Sequence, residues 1–205
     1  MNAGQLILVS APSGAGKTSL VNAVLQTDSN LIVAVSHTTR TKRATEVDGV
    51  NYHFVSTRQF DTMVAAGEFL EHAQVFQHQY GTAQGQVDTL CAQGRDVVLE
   101  IDWQGADQVR QQRPDAISIF VLPPSIEVLR ERLAERGQDS AESMQVRLAE
   151  AQLDLSQAPR YQYVIVNDDF NHAVIDLTAI IHASRLQTQI QLRENQAVKA
   201  ILSAS

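Results

Sequence analysis

Apolar residues along the chain fall in short unbroken runs, and between the runs they recur every three or four positions. The runs lie at 5–10 (QLILVS), 31–36 (LIVAVS), 96–101 (DVVLEI), 116–122 (AISIFVL) and 163–167 (YVIVN). Short continuous apolar runs read as strands buried on both faces. After Lys17, Leu20, Val21, Val24 and Leu25 keep helical spacing up to Gln26. Buried strands alternating with helices predict an α/β chain, a three-layer α/β/α arrangement around a parallel central sheet.

The rhythm breaks between about 37 and 86. That segment is polar, with short alternating pieces at 51–55 and 69–75. One helix is expected over 56–66, where Ser56 and Gln59 stand at capping-box spacing. The pattern predicts a mostly antiparallel insertion at the sheet's edge, leaving 1–36 and 87–205 as the core. Within the core, a helix over 125–136 closes at Gly137. A second runs from the capping-box pair Asp139 and Glu142 to Ala158, stopped by Pro159. This hairpin, about 125–158, has the form of a lid. Residues 170–205 read as one long helix with Leu177, Ile180, Ile181, Leu186 and Ile190 on it. Those positions are satisfied either by the chain's own core or by a second copy in a homo-oligomer.

Composition narrows the function. The 205 residues are 44% hydrophobic, enough for a core, and carry a formal net charge of -7. Net negative charge argues against nucleic-acid binding but leaves room for a locally basic pocket. A single cysteine, Cys91, excludes an internal disulfide and fits a reducing compartment. No run is long enough to span a membrane, and the N-terminus enters a strand without a leader-like pattern, so the cytoplasm is the expected location. The six histidines show no metal-ligand spacing.

The segment Ser10 to Thr18 reads SAPSGAGKT. It follows a buried strand and opens a helix, the context a phosphate-binding loop requires. Gly14 and Gly16 free the backbone so that successive N–H groups point at phosphate oxygens, and the helix adds its positive end. Ala11, Pro12, Ser13, Gly14, Ala15, Gly16, Lys17 and Thr18 are thus candidate ATP ligands. Lys17 would reach the β- and γ-phosphates and Thr18 would ligate Mg²⁺. Ala11 stands where the motif has its first glycine. Glu100 and Asp102 end the third strand beside this loop, where a Mg²⁺ partner sits in such enzymes. Strand alternation puts both on one side.

Arg40 and Arg43 could fork around one phosphate, with Tyr52 adding a hydroxyl. Further on, Glu71 could accept from N1–H and the exocyclic amine of guanine, and Thr82 could serve O6. Together the motifs resemble the guanylate kinase family over nearly the whole chain. They are the phosphate loop, Ser36-His37-Thr38-Thr39-Arg40, Arg43, Glu46, Gly49, Tyr52, Phe54, Glu71, Tyr80-Gly81-Thr82 and Glu100-Ile101-Asp102-Trp103-Gln104-Gly105. Two positions depart from the pattern, Lys42 and Thr45, both in the loop around the arginines.

The resemblance implies transfer of the γ-phosphoryl group of ATP to GMP with Mg²⁺. It implies that Ser36, Arg40, Arg43, Tyr52 and Tyr80 hold the GMP phosphate, and that Glu71, Thr82 and Asp102 read guanine. Arg136 and Arg147, on the lid, join Lys17 and Arg40 as the catalytic set, with Arg132 as a further candidate. Asn167 is expected beside the adenine. Two rivals differ in one feature each. A sugar-phosphate kinase would lack the Glu71 and Thr82 pair, and a protein-binding module of the same fold would lack the phosphate loop.

Overall fold

A computed structural model describes residues 4–75, 77–135 and 141–204. Five strands build the central sheet. In chain order the strands of the molecule begin with β1 (Leu6–Ser10) and β2 (Leu31–Val33), then β3 (His37–Thr38), β4 (His53–Phe54), β5 (Phe69–Val75) and β6 (His78–Ala83). They end with β7 (Asp96–Glu100), β8 (Ile117–Leu122) and β9 (Tyr163–Val166). The central sheet is wholly parallel in the order β2-β7-β1-β8-β9.

Alternation along β1 sorts the core into two halves. Ile7 and Val9 face α1 (Lys17–Leu25) and α7 (Phe170–Arg185), packing with Leu20, Val21, Leu177 and Ile181. Leu8 faces the other way, toward α3 (Gln84–Ala92) and α4 (Trp103–Gln112), with Leu99, Val109 and Phe120. Each of these fully buried side chains stabilises the fold by roughly 1.5–3 kcal/mol. Helices cover both faces, which is why the strands read as unbroken apolar runs rather than as alternating ones.

Strands β3 to β6 form a separate sheet in the order β4-β3-β6-β5. The β3–β6 and β5–β6 pairs are antiparallel and β3–β4 is parallel, in line with a mostly antiparallel insertion. It leaves the core from β2, an edge strand. Helix α2 (Thr57–Ala65) has the expected capping box between Ser56 and Gln59. Gln108 of α4 joins the insertion to the core. Its side-chain amide donates to His72 O at 2.7 Å and accepts from His72 N at 3.1 Å.

Helices α5 (Ile126–Glu135) and α6 (Ala141–Ser156) make the expected hairpin, joined through Leu129, Leu133 and Ala151. Gly137 and Asp139, the expected stop and cap, lie outside the described residues, as does Arg136. Pro159 sits in a 3-10 turn, Ala158–Arg160, beyond α6.

The single long C-terminal helix is corrected by the structure to three: α7, α8 (Thr188–Glu194) and α9 (Gln196–Ser203). Gln187 is extended, and Asn195 leaves the helical region to cap α9, its side chain accepting from Ala197 N and Val198 N. Asparagine prefers that role to a helix interior. Ala173, Leu177 and Ile181 of α7 are buried against the core, while Phe170 and Ile175 of the same helix and Leu186, Leu192, Ile201 and Leu202 beyond it are exposed. Among the described residues no helix is long and apolar enough to cross a membrane.

Candidate active site

The C-terminal ends of β1 and β7, the insertion and α6 surround one cleft of about 440 Å³, a size suited to small-molecule ligands. On its floor lies the phosphate loop. Gly14 and Gly16 take φ of +92° and +94°, a left-handed conformation that side chains with a Cβ disfavour. A Cβ on Gly16 would also come within 2.4 Å of Asn167 Nδ2. Gly16 precedes α1, so the loop's free N–H groups gather at a helix N-terminus.

Lys17 is half-buried and its Nζ donates to Ile101 O at 3.4 Å. Burial lowers its pKa, with Glu100 and Asp102 opposing. Thr18 Oγ1 donates to Glu100 Oε2 at 2.6 Å. Two hard oxygens are thereby paired beside the phosphate loop, a donor set that fits Mg²⁺, which keeps most of its shell as water and phosphate oxygens. Among the described residues no cluster of three or more His, Cys, Asp or Glu side chains is placed to hold a metal ion.

Strand alternation put Glu100 and Asp102 on one side, and in the structure only Glu100 belongs to the strand. β7 ends at Glu100, and Asp102 turns aside to cap α4, accepting from Gly105 N at 2.9 Å. Glu100 faces Thr18, and Asp102 faces the insertion.

Opposite the loop, Glu71 enters the cleft from β5. It is 3% exposed, and Oε1 accepts from Thr82 Oγ1 at 2.5 Å. Gly105 allows this approach, since a Cβ there would stand 2.5 Å from Glu71 Oε2. Burial raises the Glu71 pKa to about 7, with Asp102 adding to the effect and Thr82 opposing it. Ser36 Oγ lies 3.0 Å from Thr82 Oγ1. Ser36, Tyr52 and Tyr80 line the cleft with Glu71, whereas Thr82 is fully buried behind it.

The arginines are placed less uniformly. Arg40 lies behind Tyr52, its guanidinium carbon 5.6 Å from that ring, and pairs with Glu46 at 2.6 Å. Arg43 is exposed and does not line the cleft. Arg147 lines the cleft from α6, and Arg132 Nη1 donates to Gly14 O at 3.3 Å, tying α5 to the phosphate loop. Asn167 departs from its expected place. It is buried, and its Nδ2 donates to Ala15 O at 2.7 Å, bracing the underside of the loop, so neither Asn167 nor Ala15 lines the cleft.

Asp154 is a site residue the sequence reading missed. It lines the cleft, and burial raises its pKa to about 7, with Asp102 and Glu150 adding and Lys17 opposing. The signal was present: Glu150 and Asp154 share one helical face with Arg147.

The family model for guanylate kinase matches residues 3–184. The chain is 53% identical over 205 residues to the guanylate kinase of Hahella chejuensis, covering 100% of this chain and 99% of that protein. It is 55% identical over 195 residues to that of Saccharophagus degradans, covering 95% of each. The crystal structure of guanylate kinase from Anaplasma phagocytophilum superposes with a TM-score of 0.80 at 30% identity, over 99% of this chain and 96% of that one.

Proposed function

Because this chain belongs to the guanylate kinase family, we propose a division of labour for the residues around its cleft. The chain has guanylate kinase function: it is a nucleoside monophosphate kinase that phosphorylates GMP at the expense of ATP. The observation that carries the proposal is that Lys17, at the head of α1, and Glu71, on β5 of the insertion, line the same cleft.

The phosphate loop, residues 11–18, holds the ATP phosphates through its backbone N–H groups, and Lys17 supplies positive charge at the β- and γ-phosphates. Thr18 and Glu100 would hold Mg²⁺, which when bound screens phosphate charge. Segment 37–86 serves as the acceptor domain, and residues 1–36 and 87–205 as the core. Glu71 and Asp102 accept from the guanine edge, with Thr82 fixing the Glu71 carboxylate. Ser36, Arg40, Arg43, Tyr52 and Tyr80 take the GMP phosphate, Arg43 by moving inward from its exposed position.

Transfer is in line and needs no side-chain nucleophile, because the reaction is governed by positioning and charge. Arg147 delivers that charge from α6, with Arg136, outside the described residues, as the second catalytic arginine, and the covered cleft excludes water that would otherwise hydrolyse ATP. Asn167 keeps Ala15 in place, and with it the loop.

The test is ADP formation with GMP, AMP, UMP and CMP as acceptors, for the wild type and Glu71→Ala. Turnover with GMP alone is expected, with that preference lost in the variant. Equal discrimination by both proteins would remove Glu71 from the guanine site.

A further inference from the structure

We infer that Glu46 is a positioning residue for the acceptor clamp: its carboxylate fixes Arg40 so that the guanidinium's opposite edge is presented to the GMP phosphate. The inference rests on the reading of Arg40 as a phosphate ligand.

A guanidinium has five N–H donors arranged as two forks. On Arg40, Nη1 donates to Glu46 Oε2 at 3.0 Å and to Thr41 O at 2.9 Å, and Nη2 donates to Glu46 Oε1 at 2.6 Å. The two Glu46 bonds use one fork, and the Thr41 bond takes the remaining Nη1 hydrogen. The Nε–H and the second Nη2 hydrogen make up the other, and the Tyr80 hydroxyl pairs with this same guanidinium. Tyr80 lines the cleft, so Arg40 spans the distance between Glu46 and the acceptor side.

Rings complete the brace. The guanidinium carbon stands 5.6 Å from the Tyr52 centroid and 5.7 Å from that of Phe54. Held in plane by a carboxylate and flanked by aromatic faces, Arg40 has little rotamer freedom left to lose on binding.

Glu46 also reaches the second arginine. Its carboxylate accepts from Arg43 N at 2.8 Å, and its own N–H donates to Arg43 O at 3.1 Å. One side chain therefore ties Arg40's guanidinium to Arg43's backbone and sets the spacing of the two clamp residues. Pairing with Arg40 holds the Glu46 carboxyl down at about 2, so the brace persists at every working pH.

Two effects of the carboxylate oppose each other. As an anion it repels the phosphate, and as a brace it pre-orients the cation. The positioning role requires the second to dominate.

Steady-state kinetics on wild type, Glu46→Ala, Glu46→Gln, Arg40→Ala and the Arg40→Ala/Glu46→Ala double variant decide between them. Glu46→Ala should raise KM for GMP about tenfold, as expected for a misoriented clamp. KM for ATP and kcat should change less than about twofold, since the donor side is untouched. Glu46→Gln, which keeps one acceptor, should fall between, and it serves if the alanine variant misfolds. The double variant should be no worse than Arg40→Ala alone, because the brace has nothing left to hold.

A lower KM for GMP in the Glu46 variants would make the carboxylate a competitor and overturn the inference. So would additive losses, or an unchanged KM beside a raised one in Arg40→Ala. If Arg40→Ala itself left KM for GMP unchanged, the phosphate-ligand reading would fail first and take the inference with it.

Discussion

Glu71 shows how one residue joins stability to recognition. Its pKa stands at about 7, above the ordinary 4.5, chiefly through burial. The folded chain therefore binds this proton more tightly than the unfolded chain. Stability rises as pH falls from about 7 toward 4.5, and the cost of burying the charge is fully present above 7. Glu71→Gln removes that charge. It is expected to raise Tm at pH 8 by about 2–6 °C and to lose most of this advantage at pH 5. The same variant should lose its preference for GMP. Equal Tm differences at the two pH values would show that the buried charge carries no such cost. Glu71 became a candidate in the sequence through its chemistry together with the motifs around it. Its contact with Gly105 was not legible, because the partners lie far apart in the chain, one on β5 of the insertion and the other on α4 of the core.

At the scale of an element, α6 carries the most consequence. It presents Arg147, Glu150, Ala151 and Asp154 to the cleft. Burial pushes the Glu150 carboxyl up, with Arg147 opposing. An arginine held there can stabilise charge that develops only in transfer, so Arg147→Ala should lower kcat about 10²–10³-fold with a smaller change in either KM. A kcat within threefold of wild type, measured in the same ADP assay, would deny the helix this role. Local pattern was a good guide to the helices themselves: the capping box of α2 formed as spaced. It failed at the C-terminus, where helix-compatible residues run on unbroken from α7. Only the extended backbone at Gln187 and the cap by Asn195 divide the stretch.

On the scale of the whole molecule, the acceptor sheet must be held at a fixed place relative to the phosphate loop. Gln108 does part of this by pairing its amide with the His72 backbone, and Gln112 Nε2 adds a bond to Leu70 O at 2.8 Å. Each such bond contributes about 0.5–1.5 kcal/mol net. Gln108→Ala should speed amide hydrogen exchange along β5 and raise KM for GMP severalfold, leaving KM for ATP as it was. Unchanged exchange in β5 would mean that the insertion is seated by its apolar contacts alone.

By itself the sequence determined the parallel core, the edge insertion, the phosphate loop and the candidates for the guanine side. Those rest on period, on glycine placement and on side-chain chemistry, all of which are local. Tertiary structure decided which candidates share the cleft. It made Asp102 the cap of α4, placed Asn167 under the loop, left Arg43 outside, brought Asp154 in and paired Arg40 with Glu46. Such choices depend on where strands end and how sheets meet, and on which buried polar group finds a partner. Apart from the spacing of Asp154 and Arg147 on α6 and the nearness of Glu46 to Arg40, no window along the chain contains that information.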